Sequence, residues 1–141
     1  MIGIASDHIG YALKSNIIET YKGECLKDLG PYHKTRTSYA IYANKMAEQL
    51  YKSHVTRGIL ICSTGIGMSI CVNKHMFIRA ALCYNERMAE MSRKHNNANI
   101  LVLGASLSDE TTAKKITKTF LSTEFLGGIY QSRIDQFRTI I

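Results

Sequence analysis

The sequence predicts an α/β fold, a parallel sheet covered on both faces by helices, and two observations carry that prediction. Short apolar runs of strand length recur five times along the 141 residues, and amphipathic segments of helical period stand between them. Parallel neighbours need a crossover connection, usually a helix, so strict alternation selects a parallel sheet over hairpins. The length suits a single domain, 1–141, with one substantial core, and no proline-rich or glycine-serine linker divides it.

In chain order, the first strand is expected at 1–5, followed by a helix over 11–21 with Leu13, Ile17 and Ile18 on one face. A second strand at 25–29 leads into the one candidate long loop, GPYHKTRTS at 30–38. The next helix, 39–52, aligns Tyr39, Tyr42, Ala43, Met46 and Leu50. Strands at 58–62, 78–83 and 99–103 follow, with a helix over 86–94 between the last two. Two helices close the chain: 109–121, with Ser108 as its N-cap, and 130–140, after the break at Gly127-Gly128. The last carries Ile134, Phe137 and Ile141 at helical spacing, a stripe that packs either on its own core or on a neighbouring subunit.

Composition narrows the function. The formal charge is +7, but Lys and Arg are scattered with no run longer than two, which reads as a solvated basic surface rather than a nucleic-acid footprint. An anionic small substrate would profit from the same field. No apolar run reaches a membrane span, and MIGIASDH lacks the pattern of a secretion signal, so a cytoplasmic protein is expected. Cys25, Cys62, Cys71 and Cys83 form no CxxC pair, which argues against a zinc site and for free thiols in a reducing compartment.

In open α/β sheets ligands sit beyond the carboxyl ends of the strands. Those positions hold Ser6-Asp7-His8, then Cys62-Ser63-Thr64-Gly65-Ile66-Gly67, then Tyr84-Asn85-Glu86, then Gly104-Ala105-Ser106, while His95-Asn96-Asn97 ends a helix before the fifth strand. The stretch from Ser63 to Ser69 could form a nest of backbone N–H groups and then start a helix, a geometry that holds an anion. It is neither a P-loop nor a dinucleotide fingerprint, and a glycine turn needed for backbone reasons alone explains it equally well. Cys62, taken alone, reads first as core filler, and its place beside a helix start is what suits a nucleophile or base. His8 and His95 alone read as satisfied polar residues, and Asp7 as a helix cap. Convergence of Asp7-His8 and Cys62 on one side of the sheet turns them into an acid–base set.

Four segments, ASDHIGYALK (5–14), GILICSTGIGMSICVNK (58–74), IRAALC (78–83) and SRKHNNANILVLG (92–104), resemble type B ribose-5-phosphate isomerases in order and spacing. The resemblance implies a Rossmann-like three-layer fold with a five-stranded parallel sheet, a C-terminal helix packed on a partner subunit, and a homodimer, with a tetramer compatible. It implies a pentose-phosphate pathway enzyme without metal or organic cofactor that interconverts ribose 5-phosphate and ribulose 5-phosphate through a cis-enediolate. By motif position Cys62 would move the proton between C2 and C1. The backbone of Ser63, Gly65, Ile66, Gly67, Met68 and Ser69 would hold the enediolate oxygens. His95, helped by Asp7, would open the furanose ring, with Thr64 at the ring oxygen or a nearby hydroxyl. Asn96 and Tyr42 would position the sugar, His8 and Arg133 would bind phosphate, and part of the set would come from the partner. The chain departs from the family where an arginine is replaced by Ser106, where GGRH becomes Gly127-Gly128-Ile129-Tyr130, and where DYP becomes Ser38-Tyr39-Ala40. A hexose-6-phosphate isomerase of the galactose or allose type is the nearest alternative, and a noncatalytic anion- or nucleic-acid-binding module the more distant one.

Overall fold

A computed structural model describes residues 1–140. Five strands, β1 (Ile2–Ser6), β2 (Leu26–Asp28), β3 (Arg57–Cys62), β4 (Ala80–Leu82) and β5 (Ile100–Gly104), form one sheet in the order β2-β1-β3-β5-β4. Every pairing is parallel, with Ser6 opposite Ile61 and Cys62 opposite Gly104 at the carboxyl edge. Six helices accompany them: α1 (Tyr11–Thr20), α2 (Tyr39–Tyr51), α3 (Ile66–Val72), α4 (Glu86–Asn96), α5 (Glu110–Ser122) and α6 (Ile129–Ile134).

Strand alternation sorts the core into two layers. Ile59 and Ile61 of β3 face one side, where they join Leu13 and Ile17 of α1, Ala89 of α4 and Ala113, Ile116 and Phe120 of α5. Leu60 and Cys62 face the other side, against Ala43, Met46 and Ala47 of α2 and Met68 and Val72 of α3. The three-layer, Rossmann-like α/β arrangement follows, and each fully buried Ile, Leu or Phe contributes about 1.5–3 kcal/mol. No helix among the described residues is long and apolar enough to cross a membrane.

Three expectations change. β4 is shorter than 78–83, because Ile78 is buried in the core and the Arg79 N–H is taken by the Asn99 side chain, 2.8 Å, rather than by the ladder. The α5 cap is Asp109, not Ser108: its carboxylate accepts the Thr112 N–H at 2.7 Å, while the Ser108 hydroxyl is buried without a partner. The last helix starts one residue early and stops at Ile134, with Phe137 N–H bonded back to Ile134 in a turn. Phe137 therefore falls beyond α6, Ile141 lies outside the described residues, and no α6 residue is buried. Within the chain α6 touches α4 rather than the core.

Candidate active site

From β1 the chain passes to β2 on one side, and it later places β3 on the other, so a crevice opens beyond the carboxyl ends of β1 and β3. Asp7 and His8 leave β1 there, and Cys62 ends β3. Asp7 is buried; its backbone N–H reaches Ile61 O at 3.0 Å and its carboxylate accepts the Gly10 N–H at 2.9 Å, tying the strand end to the start of α1. It holds the N–H of Gly10, the residue that precedes the first turn of α1, and remains at the crevice. His8 turns Nδ1 toward Thr37, 3.2 Å from its N–H and 3.1 Å from its carbonyl. Either tautomer therefore finds a backbone partner there, and Nε2 is left for a ligand.

Cys62 is 4% exposed, and its Sγ accepts the Gly65 N–H at 3.2 Å. That bond depends on glycine, since Gly65 sits at φ 79°, in the left-handed region. Gly104 has a different reason: a Cβ there would meet the Thr64 carbonyl oxygen at 2.5 Å, so β5 approaches the loop only without a side chain. The Thr64 hydroxyl accepts the Ile66 N–H at 3.2 Å. The two carbonyls that would close the first turn of α3 point elsewhere. Ser63 O accepts Ser106 N–H at 2.9 Å, and Thr64 O accepts the Tyr84 hydroxyl at 2.9 Å. The N–H groups of Gly67 and Met68 consequently find no acceptor among the described residues, which is the donor set an oxyanion needs. Ser69 N–H is not part of it, because it bonds Gly65 O at 2.9 Å.

Tyr42, one turn into α2, lies against Gly30, whose carbonyl accepts Ser6 N–H, so it borders the same crevice. Tyr39 covers Gly67, close enough that a Cβ on Gly67 would sit 2.7 Å from its ring. Beyond its helical stripe and its place in Ser38-Tyr39-Ala40, Tyr39 carries one further signal in the sequence, its position as the first residue after the 30–38 loop.

His95, Asn96 and Arg133 lie elsewhere. A helix after a parallel strand runs back to the amino edge, so α4 delivers His95 and Asn96 just before β5, beside the start of β3, where Asn99 O accepts Gly58 N–H. Cys62 stands at the other end, one strand length of about 16 Å away. Within one chain the structure brings Asp7, His8 and Cys62 to the carboxyl edge of the sheet and leaves His95 at the amino edge. The amino-edge group has its own construction. The turn after α4 is gripped by two arginines, Arg79 Nε donating to Asn96 O and Asn97 O at 3.2 and 3.1 Å, and Arg93 donating to Asn97 Oδ1, Ala98 O and Thr123 O. Burial pushes both guanidinium groups down from the usual arginine range, Arg93 to about 10. His95 stacks on Tyr130, and Arg133 lies over the same ring. Two clefts of 340 and 420 Å³ open nearby at the β4 edge, sharing Asn73, Ile78 and Phe137, and neither is lined by Cys62. The Cys62 loop is the place where a buried thiol meets backbone donors that find no acceptor among the described residues, and it lies outside both clefts. Among the described residues no three His, Cys, Asp or Glu side chains gather as a metal set.

The profile of the Ribose/Galactose Isomerase family matches residues 2–137. The chain is 36% identical to ribose-5-phosphate isomerase B of Escherichia coli over 141 residues, 99% of this chain and 95% of that one. Its fold superimposes on ribose-5-phosphate isomerase B of Clostridium thermocellum with a TM-score of 0.93, at 43% identity and over 96% and 93% of the two chains. The enzyme of Mycoplasma genitalium, solved with bound ribulose-5-phosphate, gives 0.90 at 38% identity, over 96% and 91%. With the family profile spanning nearly the whole chain and relatives matched almost end to end, the chain belongs to the ribose/galactose isomerase family.

Proposed function

We propose that the protein is an aldose–ketose isomerase that interconverts ribose 5-phosphate and ribulose 5-phosphate. One observation carries the reading: a buried cysteine at the end of β3 is followed by a loop whose Gly67 and Met68 N–H groups find no partner among the described residues. The C2 proton of an aldose is acidic only through the neighbouring carbonyl, so charge must be taken up at oxygen as the proton leaves carbon. Cys62 as thiolate removes the proton from C2 and returns it to C1, while the hydroxyl proton of O2 passes to O1 across the cis-enediolate. The loop N–H donors hold the enediolate oxygens between the two transfers. His8, anchored through Nδ1, offers Nε2 to the phosphate, and Thr64, Tyr42 and Asp7 border the sugar.

Ring opening falls to His95, helped by Asp7, with Asn96 positioning the sugar and Arg133 on the phosphate. Because His95, Asn96 and Arg133 lie at the amino edge, they act in the crevice of a second copy of the chain, so the active unit is at least a homodimer. No metal or organic cofactor enters this chemistry, and the four free cysteines suit the reducing cytoplasm.

The test is turnover. Chelator-treated protein should convert ribose 5-phosphate to the ketose, and Cys62→Ala should lower kcat by about 10² to 10⁴-fold while leaving substrate binding, since that is the range for a lost general base. Absence of ketose with conversion of a six-carbon 6-phosphate would assign the hexose reaction instead. A Cys62→Ala variant with more than a tenth of the activity would move the base to another residue.

A further inference from the structure

His95 is held in two different ways. Its backbone ends α4 in a turn gripped by Arg79 and Arg93. Its imidazole makes no hydrogen bond among the described residues, yet it lies against the Tyr130 ring with centroids 4.3 Å apart and planes 10° from parallel. The Arg133 guanidinium stands 5.8 Å from the centre of the same tyrosine ring. Tyr130 belongs to α6, a helix that contributes no buried residue to the core, so core packing does not account for its placement.

We propose that Tyr130 is the positioning residue of His95, fixing the plane of its imidazole so that both ring nitrogens stay open to the substrate of the partner crevice. A hydrogen bond would also fix the ring, but it would occupy one of the two nitrogens that a proton-moving histidine needs. Stacking restrains orientation without using either. The tyrosine ring face also accommodates the nearby Arg133 cation. The histidine and the arginine thereby share one plate, and the single side chain sets the spacing of both. This inference rests on the ring-opening role given to His95 above.

The experiment compares Tyr130→Phe, Tyr130→Leu and His95→Ala with the parent protein. In the parent, the imidazole C–H resonances of His95 should be displaced upfield by the tyrosine ring current; the displacement should survive in Tyr130→Phe and vanish in Tyr130→Leu. Turnover of ribose 5-phosphate should follow the same order. The leucine variant should lose about tenfold to a hundredfold in kcat, the scale of a reacting group displaced by about 1 Å. An open-chain substrate analogue should be little affected, because its ring needs no opening. Tyr130 sits on a partly exposed helix outside the core, so the far-ultraviolet circular dichroism of all three variants should match the parent. If Tyr130→Leu keeps the parental kcat while His95→Ala loses it, the positioning role is overturned and the role of His95 stands. If His95→Ala keeps full turnover of the cyclic sugar, the role of His95 falls and the positioning role falls with it. Absence of the upfield displacement in the parent overturns the stack itself.

Discussion

At Gly65 the chain turns from a strand end to a helix start in three residues, and the Cys62 sulfur is held by the result. A Cβ there would sit 2.4 Å from Leu82 Cδ1 and 3.2 Å from the Leu103 carbonyl carbon, and the positive φ alone costs a side-chain-bearing residue about 1–2 kcal/mol. Gly65→Ala should therefore destabilise the protein in urea by at least that much. It should also withdraw the N–H from Cys62 and lower kcat severalfold in the fraction that remains folded. A variant with the expected loss of stability and an unchanged kcat would show that the N–H to sulfur bond has no part in the reaction. The need for small residues here was legible, since a cysteine followed by Ser-Thr-Gly-Ile-Gly after an apolar run has few other uses. The stack of Tyr130 on His95 was not legible, because no periodicity or spacing encodes a meeting between the end of α4 and α6.

Among the elements, α5 shows how a local hydrogen bond decides a boundary that periodicity leaves open. Ser108 and Asp109 are both good caps, and sequence preference does not separate them. The structure does, by burying Ser108 and aiming the Asp109 carboxylate at Thr112 N–H. That N–H holds the Asp109 carboxyl below the usual carboxylate range. A carboxylate whose folded pKa is depressed stabilises the fold above its unfolded pKa, about 3.9, and loses that contribution as pH falls through the folded value. Asp109→Ala should thus melt at a lower temperature than the parent at neutral pH, and the gap should narrow below about pH 4. A gap that stays constant down to acid pH would mean the cap acts through something other than its charge. Strands and long helices were readable to within one or two residues, and β1, β3, β5 and the long helices each bury a regular stripe. The extent of α6 was not, since it buries nothing and its apolar residues obey helical spacing without a core to enforce it.

Over the whole molecule, the alternation of strand and helix settles a question that motif reading alone leaves blurred. Motifs place Cys62 and His95 in one chemical set, but a helix that follows a parallel strand carries its end to the amino edge, so one chain keeps the two apart. Strand and helix order alone carries this much. The proposed function then requires a site shared between copies, with Cys62 from one and His95 from the other, and that requirement makes a quantitative prediction. Cys62→Ala and His95→Ala should each be nearly inactive as pure proteins. When the two are unfolded together and refolded at equal amounts, half of the dimers pair one variant with the other. In such a dimer, one crevice carries both substitutions and the other carries neither. About a quarter of the parental activity should return, the fraction of intact crevices that random pairing in a two-fold dimer allows. Recovery should vanish when one variant is in large excess, because mixed dimers then become rare. If the mixture stays as inactive as its components although mixed dimers are demonstrated, each crevice draws both residues from a single chain, and the separation of α4 from the end of β3 would have to be closed by a rearrangement of the subunit instead.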